Sequence, residues 1–128
     1  MPQAYKPDGY NSLAPYLIVQ GAQKLIDLLM VIFDAKVTRR FYLPDGSVMH
    51  AEIQIDDSIV MVSDATATYA PNQFLLHVYV SDVDEVYRKA LAAGCVSEEE
   101  PKQREGDPDR RGSFKDFAGN VWAIGTQL

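Results

Sequence analysis

The sequence has a single cysteine, an excess of acidic over basic residues and no long apolar run, and each shortage excludes a class of protein. Cys95 is the only cysteine among 128 residues, so no disulfide can form within the chain, as is typical of a reducing compartment. Twelve Lys and Arg against eighteen Asp and Glu give a net charge of −6, which argues against nucleic-acid binding. No stretch reaches the roughly 18 apolar residues of a membrane-spanning helix, and residues 1–12 lack the apolar segment of a secretory signal. We therefore expect a cytoplasmic, one-domain protein that binds neither nucleic acid nor membrane.

The first half of the chain predicts a strand, a helix and three further strands. Residues 1–12 are polar and predict an extended N-terminal arm, and the short apolar run at 13–19 is typical of a buried strand. From Ala22 to Phe33 the apolar residues recur at intervals of three and four, which predicts a helix with one buried face. Three strands follow, separated by turns at Pro44-Asp45-Gly46 and Asp56-Asp57: residues 36–43, 47–55 and 58–63.

The second half repeats this order. A strand at 75–80 precedes a helix that starts at Val83, with Ser81 or Asp82 as its cap, and three strands follow at 95–99, 111–115 and 121–125. One constant offset of 61 positions relates the halves, pairing Leu17 with Val78, Leu25 with Val86 and Met61 with Trp122. The chain is therefore interpreted as two βαβββ repeats, at 13–64 and 74–128, joined by a linker at 65–73.

Each repeat buries one face of its sheet under its helix, which leaves the other face in need of a partner. Two repeats side by side predict an α+β fold with a curved eight-stranded mixed sheet and helices on the outer face. The concave inner face is the place where a ligand would bind.

Four stretches of the sequence resemble the vicinal oxygen chelate superfamily, which includes glyoxalase I, extradiol dioxygenases and bleomycin-resistance proteins. PYLIVQGAQKLIDLL resembles that superfamily's first strand and helix, and PDGSVMHAEIQIDDSIVMVSD the third and fourth strands of its PhnB-like branch. LLHVYVSDVDEVYRKALAAG resembles the opening of the second repeat, and GDPDRRGSFKDFAGNVWAIGT the closing hairpin. The resemblance covers residues 12–127 and departs from the usual Asp-Pro-x-Gly turn at 116–119.

The resemblance implies four metal-ligand positions, on the first and last strands of each repeat. Carried over to this sequence, they are Tyr16, Val62, His77 and Ala123, of which only His77 is an ordinary ligand. The glutamate replaced by Ala123 would also have served as the general base of an isomerase. We therefore expect no tightly bound metal and no other cofactor. The alternative is a site in which His50 and Glu52 combine with His77.

Strand alternation sorts the side chains of the predicted sheet by face. It places Trp122 in the core and nine residues in the ligand-binding cleft: Tyr16, His50, Glu52, Val62, His77, Tyr79, Arg111, Ser113 and Ala123. His50 and Glu52 predict either a polar pair for a ligand or an ordinary hydrated sheet face. Arg110 and Arg111 predict either a clamp for an anion or a pair answering nearby aspartates. Tyr69 is either a lid or a loop anchor.

The resemblance and the missing ligands together imply a metal-free protein that binds a small organic molecule and forms a homodimer. Two alternatives stay open. One is an enzyme, either a metal-dependent glyoxalase-type lyase or isomerase or one that uses the His50/Glu52 pair. The other is an accessory subunit whose concave face buries a protein partner.

Overall fold

The computed structural model describes residues 4–128, which form the βαβββ order twice. The chain divides between Pro71 and Asn72 into two compact units. The first unit contains β1 (Tyr16–Val19), α1 (Ala22–Phe33), β2 (Lys36–Tyr42), β3 (Val48–Ile55) and β4 (Ser58–Asp64). The second contains β5 (Leu75–Tyr79), α2 (Val83–Ala92), β6 (Val96–Gln103), β7 (Asp109–Lys115) and β8 (Val121–Gln127). Neither helix of the described chain has the length and apolar character needed to cross a membrane.

Each unit contains a four-stranded mixed sheet with the same topology. The strand orders are β1-β4-β3-β2 and β5-β8-β7-β6. The first strand of each unit pairs in parallel with the last, and the other pairs are antiparallel. The predicted α+β fold of two βαβββ repeats is confirmed. Its eight strands are hydrogen-bonded as two sheets of four, where the sequence predicted one sheet of eight.

The core of the first unit lies between α1 and one sheet face. The apolar stripe predicted from helical spacing is buried as Leu25, Ile26, Leu29 and Ile32. The sheet residues of the same core are fully buried and include Leu17, Ile53 and Val62. In the second unit, Phe114 and Trp122 are the largest buried side chains, which agrees with the core position predicted for Trp122.

The last strand of each unit stabilises the start of its helix. In the first unit, Oδ1 of Asp64 accepts hydrogen bonds from the backbone N–H groups of Gly21 (3.1 Å) and Ala22 (2.8 Å). In the second unit, Oγ1 of Thr126 accepts from the N–H of Val83 at 3.0 Å, and Asp82 is the N-cap residue. These contacts satisfy amide groups that have no partner within the helix. Ala22 and Val83 are 61 positions apart, whereas Asp64 and Thr126 are 62 apart.

The predicted constant offset is therefore wrong for the last strand. Four residues separate the paired Gln54 and Ile59, whereas five separate Lys115 and Val121. The extra residue belongs to the turn at 116–120, which the Asp116 carboxylate closes by accepting from the N–H groups of Ala118 and Asn120. The offset for the last strand is therefore 62, so Val62 matches Ile124. A shift of one residue reverses the faces of a strand, which places Val62 on the core side.

Two other segments differ from the sequence prediction. Strand β6 extends to Gln103 through Pro101, because register shifts on both sides of Glu99 make room for a residue that cannot donate a ladder hydrogen bond. The described part of the N-terminal arm is not extended: Tyr10 N–H donates to the carbonyl of Pro7 at 3.2 Å, closing a turn. Residues 1–3 of the predicted arm lie outside the described residues.

Candidate functional site

Three predicted site residues of the first unit form a continuous hydrogen-bonded chain. The hydroxyl of Tyr16 on β1 lies 2.8 Å from Nδ1 of His50 on β3. Nε2 of the same ring lies 2.8 Å from Oε2 of Glu52, two residues further along β3. Alternation puts His50 and Glu52 on one face, and the β1–β4–β3 order brings Tyr16 to that face. The chain Tyr16–His50–Glu52 thus links a hydroxyl, an imidazole and a carboxylate.

Glu52 is held from the other side by residues that the sequence prediction missed. The hydroxyl of Tyr10 donates to Oε1 of Glu52 at 2.6 Å and lies 2.7 Å from Oγ1 of Thr38. Arg39 Nε lies 3.5 Å from the same carboxylate oxygen. Burial raises the pKa of Glu52, but the hydrogen bonds from Tyr10 and His50 and the charge interactions with His50 and Arg39 outweigh it and leave the pKa below its ordinary value. The buried carboxylate is therefore ionised at neutral pH.

The ionised carboxylate fixes which groups donate and which accept in the hydrogen-bonded chain Tyr16–His50–Glu52. An ionised carboxylate only accepts hydrogen bonds, so Nε2 of His50 donates to Glu52. In the neutral ring Nδ1 is then the acceptor, and the Tyr16 hydroxyl donates to it. The two hydrogen bonds hold the His50 ring in one orientation between Tyr16 and Glu52.

A cavity of about 530 Å³ lies within the first unit, and Tyr16 forms part of its wall. Most of the lining is aliphatic or aromatic, and hydroxyl groups supply most of its polar character. The lining residues are Tyr16, Ile18, Leu43, Val48, Met49, Ser63, Asp64, Thr66, Thr68 and Tyr69. Tyr69 closes a turn with Thr66 through its backbone and lines the cavity, and its role as a lid stays a prediction.

The predicted site residues of the second unit form a separate polar cluster. Nη1 of Arg111 lies 3.0 Å from Nε2 of His77, and Nη2 donates to Asp109 at 2.7 Å. The hydroxyl of Tyr79 donates to the same Asp109 oxygen at 2.7 Å, which raises the pKa of Tyr79. Nε of Arg111 donates to Asp107 at 2.9 Å, and this hydrogen bond raises the pKa of the guanidinium. All three nitrogens of Arg111 therefore have protein partners.

The aspartate partners decide between the two interpretations of the adjacent arginines. Arg111 is paired with Asp107 and Asp109, as one interpretation held. Arg110 points elsewhere and forms a two-point pair with Asp84 on α2, with N–O distances of 2.9 Å. The two side chains therefore do not form a joint clamp for an anion.

The remaining predicted positions are divided between the two sheet faces. Ser113 and Ala123 are cross-strand partners, and Ala123 also pairs with His77, so both lie on the His77 face. Val62 does not lie with Tyr16: it is fully buried on the α1 side, opposite Ala51 and Leu17. The extra residue in the second-repeat turn causes this error. Met61, the cross-strand partner of both Tyr16 and Glu52, has the position that Val62 was expected to have.

A family model described as the Glyoxalase/Bleomycin resistance protein/Dioxygenase superfamily matches residues 9–124. The chain belongs to this superfamily. An uncharacterized protein of Mycobacterium bovis is 31% identical over 126 residues, covering 89% of this chain and 82% of that protein. The PhnB protein from Bacillus cereus superposes with a TM-score of 0.70 at 15% identity, covering 91% of this chain and 99% of that one. TnmS3, an antibiotic binding protein from Streptomyces sp. CB03234, gives a TM-score of 0.67 at 18% identity, covering 92% and 98%.

The superfamily's metal positions do not fit a metal in this chain. Corrected for the offset, they are Tyr16, Met61, His77 and Ala123, and only the imidazole of His77 is an ordinary ligand for a divalent ion. Nε2 of that imidazole faces the guanidinium of Arg111, a permanent cation. Within residues 4–128, no three or more His, Cys, Asp or Glu side chains are grouped as a metal site would require.

Proposed function

We propose that the protein is a metal-free member of the superfamily that binds a small organic molecule in the cavity of its first unit. The observation that carries this proposal is the cavity itself. Its volume of about 530 Å³ lies within the range of small-molecule sites, roughly 300–1,000 Å³. An apolar wall with a few hydroxyl groups is also typical of such sites, where apolar surface supplies affinity and a few polar atoms orient the ligand.

The residues at the metal positions favour binding over glyoxalase-type chemistry. A metal-dependent lyase or isomerase needs several ligands and a positioned base. Ala123 supplies neither, and Met61 offers only a weak thioether. His77 faces a guanidinium at 3.0 Å. With these residues at the metal positions, a ligand would contact the side chains themselves and not a metal ion.

The name of one structural neighbour is consistent with this proposal. TnmS3 is described as an antibiotic binding protein, although at 18% identity the likeness itself shows the fold alone. For this chain we propose a flat, mostly apolar compound, since Tyr16 and Tyr69 both offer aromatic surface to the cavity. The homodimer and the cytoplasmic location expected from the sequence stay predictions.

A thermal-shift screen of chelator-treated protein against flat aromatic compounds tests the proposal. A variant at a lining residue, Thr68→Trp, and a control at its neighbour Ala67→Trp, which does not line the cavity, are screened in parallel. Compounds that bind in the cavity raise the melting temperature of the wild type and of the control but not of Thr68→Trp. Equal stabilisation of all three proteins would place the ligand elsewhere. Stabilisation by zinc, nickel or manganese that is lost in His77→Ala would replace the proposal with a metal-dependent function.

A further inference from the structure

One hydroxyl group in the wall of the cavity belongs to a buried residue and has no protein partner. Ser63 on β4 is only 7% exposed and lines the cavity. Within residues 4–128, its hydroxyl forms no hydrogen bond with another side chain or with the backbone, whereas every fully buried side-chain nitrogen or oxygen has a partner. The Ser63 oxygen is therefore not fully buried, and the small exposed area of this residue includes its hydroxyl.

The place of Ser63 on its strand puts this hydroxyl on the cavity side. Ser63 is the cross-strand partner of Ile18 on β1, and both residues line the cavity. The neighbouring Val62 is fully buried on the α1 side, and successive side chains of a strand point to opposite faces. Since the core covers the Val62 face, the exposed part of the Ser63 side chain lies on the face that borders the cavity.

We propose that Ser63 orients the ligand of this cavity by donating a hydrogen bond to it, and that the ligand is an uncharged, flat carbonyl compound. This inference rests on the proposed function, because it names the class of compound that the same cavity accepts. It adds the residue that recognises the compound and the chemical group that is recognised.

The O–H of Ser63 is the part of this side chain that most needs a partner. A serine hydroxyl has one proton to donate and two lone pairs that accept. In folded proteins, buried N–H donors without a partner are rarer than carbonyl oxygens with an unused lone pair, and the same cost applies to a buried O–H. A ligand carbonyl accepts this proton and brings no donor of its own that the apolar wall would leave unpaired.

Ser63 differs in burial from the other hydroxyl-bearing residues of the wall. A hydrogen bond is electrostatically stronger inside a protein than in water, and an exposed hydroxyl group binds water as readily as a ligand. We therefore expect Ser63 to contribute most to the orientation of the ligand. The other lining residues with a hydroxyl group are all exposed in the described chain: Tyr16, Thr66, Thr68 and Tyr69.

The charge of the wall favours an uncharged ligand. The described residues that line the cavity are uncharged except for Asp64. Its carboxylate accepts hydrogen bonds from the backbone N–H groups of Gly21, Ala22 and Val48. An anionic ligand would lose hydration without gaining a counter-charge from this wall. A cationic ligand would meet a carboxylate that three donors and the positive end of the α1 dipole already compensate.

Equilibrium dialysis of three naphthalene compounds of the same shape against chelator-treated full-length protein tests the inference. The first is 2-acetylnaphthalene, a ketone, and the second is 2-isopropenylnaphthalene, in which a CH₂ group replaces the carbonyl oxygen. The third, 2-naphthoate, is an anion at neutral pH. We expect the ketone and the alkene to bind, and 2-naphthoate to bind at least about tenfold more weakly than the ketone.

Variants at Ser63 separate recognition of the carbonyl group from binding of the aromatic body. Ser63→Ala should weaken binding of the ketone by about fivefold and leave the alkene unchanged. The infrared carbonyl band of the bound ketone should move to higher wavenumber in this variant, because the carbonyl loses its donor. Ser63→Thr keeps a hydroxyl group and should keep the affinity for the ketone.

Two controls show that the effect is local. Ser58→Ala removes a hydroxyl group from the same strand, where it donates to Asp57, and should change the affinity for neither compound. Because the Ser63 hydroxyl has no protein partner, Ser63→Ala should not lower the melting temperature of the unliganded protein.

The outcomes distinguish this inference from the proposed function. If the ketone and the alkene both bind and Ser63→Ala changes their affinities equally or not at all, the inference fails and the proposed function stands. Binding of 2-naphthoate as tight as that of the ketone would overturn the uncharged class of ligand. If none of the three compounds binds, the proposed function fails for flat aromatic compounds and the inference fails with it.

Discussion

Replacing Glu52 with glutamine tests whether the buried carboxylate is charged and held as described. Glu52 is only 5% exposed and accepts hydrogen bonds from Tyr10 and from His50. Hydrogen bonds to a charged group contribute roughly 1.5–3 kcal/mol, and glutamine keeps the volume and one acceptor oxygen. We therefore expect Glu52→Gln to lower the free energy of unfolding by about 2 kcal/mol at pH 7. For a chain of this length the melting temperature should fall by roughly 6–10 °C.

The pH dependence gives the sharper result. Because the pKa of Glu52 is lower in the folded protein than in the unfolded chain, its contribution is complete above the ordinary glutamate pKa and is lost as the pH falls through the folded value. The difference between wild type and variant should thus be constant from about pH 6 to 8 and shrink below about pH 4. Urea unfolding followed by far-ultraviolet circular dichroism measures it.

The control for this prediction is Glu98→Gln. Glu98 pairs with Lys115 at 3.2 Å on the surface, and such a pair contributes at most about 0.5 kcal/mol. If Glu52→Gln is as stable as Glu98→Gln at every pH, Glu52 is not an ionised carboxylate that stabilises the folded protein through its hydrogen bonds with Tyr10 and His50.

Three further predictions concern the core, the register and the thiol. Asp116→Ala should destabilise the protein by about 3 kcal/mol and change the Trp122 fluorescence, because Nε1 of Trp122 and two backbone amides lose their acceptor. Val62→Asp should abolish cooperative unfolding, while Met61→Gln should lower the free energy of unfolding by at most about 1 kcal/mol. If Val62 faced the cavity side, Met61→Gln would be the more destabilising of the two substitutions. Burial raises the pKa of the Cys95 thiol to about 11, so iodoacetamide should label it slowly at pH 8 until denaturant is added, and rapid labelling of folded protein would contradict its burial.

Hydrophobic periodicity was enough to predict the order of elements. The helix intervals from Ala22 and the alternation in 47–55 each report a local geometry, so they predict α1 and β3 without knowledge of distant contacts. The internal repeat also predicted which helix and strands of the second half correspond to those of the first half. The position of Trp122 in the core followed from the parity of the last strand in the second repeat.

The offset failed where the two repeats differ in turn length. A constant offset of 61 matched apolar residues on both β4 and β8, since neighbouring positions in those strands are apolar as well. Hydrophobicity alone could not show that Val62 rather than Met61 lies under α1. The signal was the turn: Asp56-Asp57 against Asp116–Asn120, where a glycine and a capping aspartate indicate a longer connection.

The contacts of Tyr10 and Arg110 could not be predicted from the sequence. Tyr10 lies in a segment with no periodicity, and its bond to Glu52 spans 42 positions of the chain. Arg110 directly follows Asp109 in sequence but pairs with Asp84 on α2. Both contacts depend on tertiary placement. The sequence predicts His50 and Glu52 as a polar pair, and the structure adds the hydroxyl groups of Tyr16 and Tyr10, which extend this pair into a hydrogen-bonded chain.

Chemical-shift mapping by two-dimensional ¹H–¹⁵N NMR in the presence of EDTA tests whether the cavity of the first unit binds a small molecule without a metal. The probe is 4-methylumbelliferone, a flat and mostly apolar aromatic compound, titrated into the full chain. We expect saturable shifts at cavity residues such as Ile18, Leu43 and Thr66, with no change when zinc replaces EDTA. Shifts confined to the surroundings of His77 and Ala123, or binding that appears only with a metal, would contradict it.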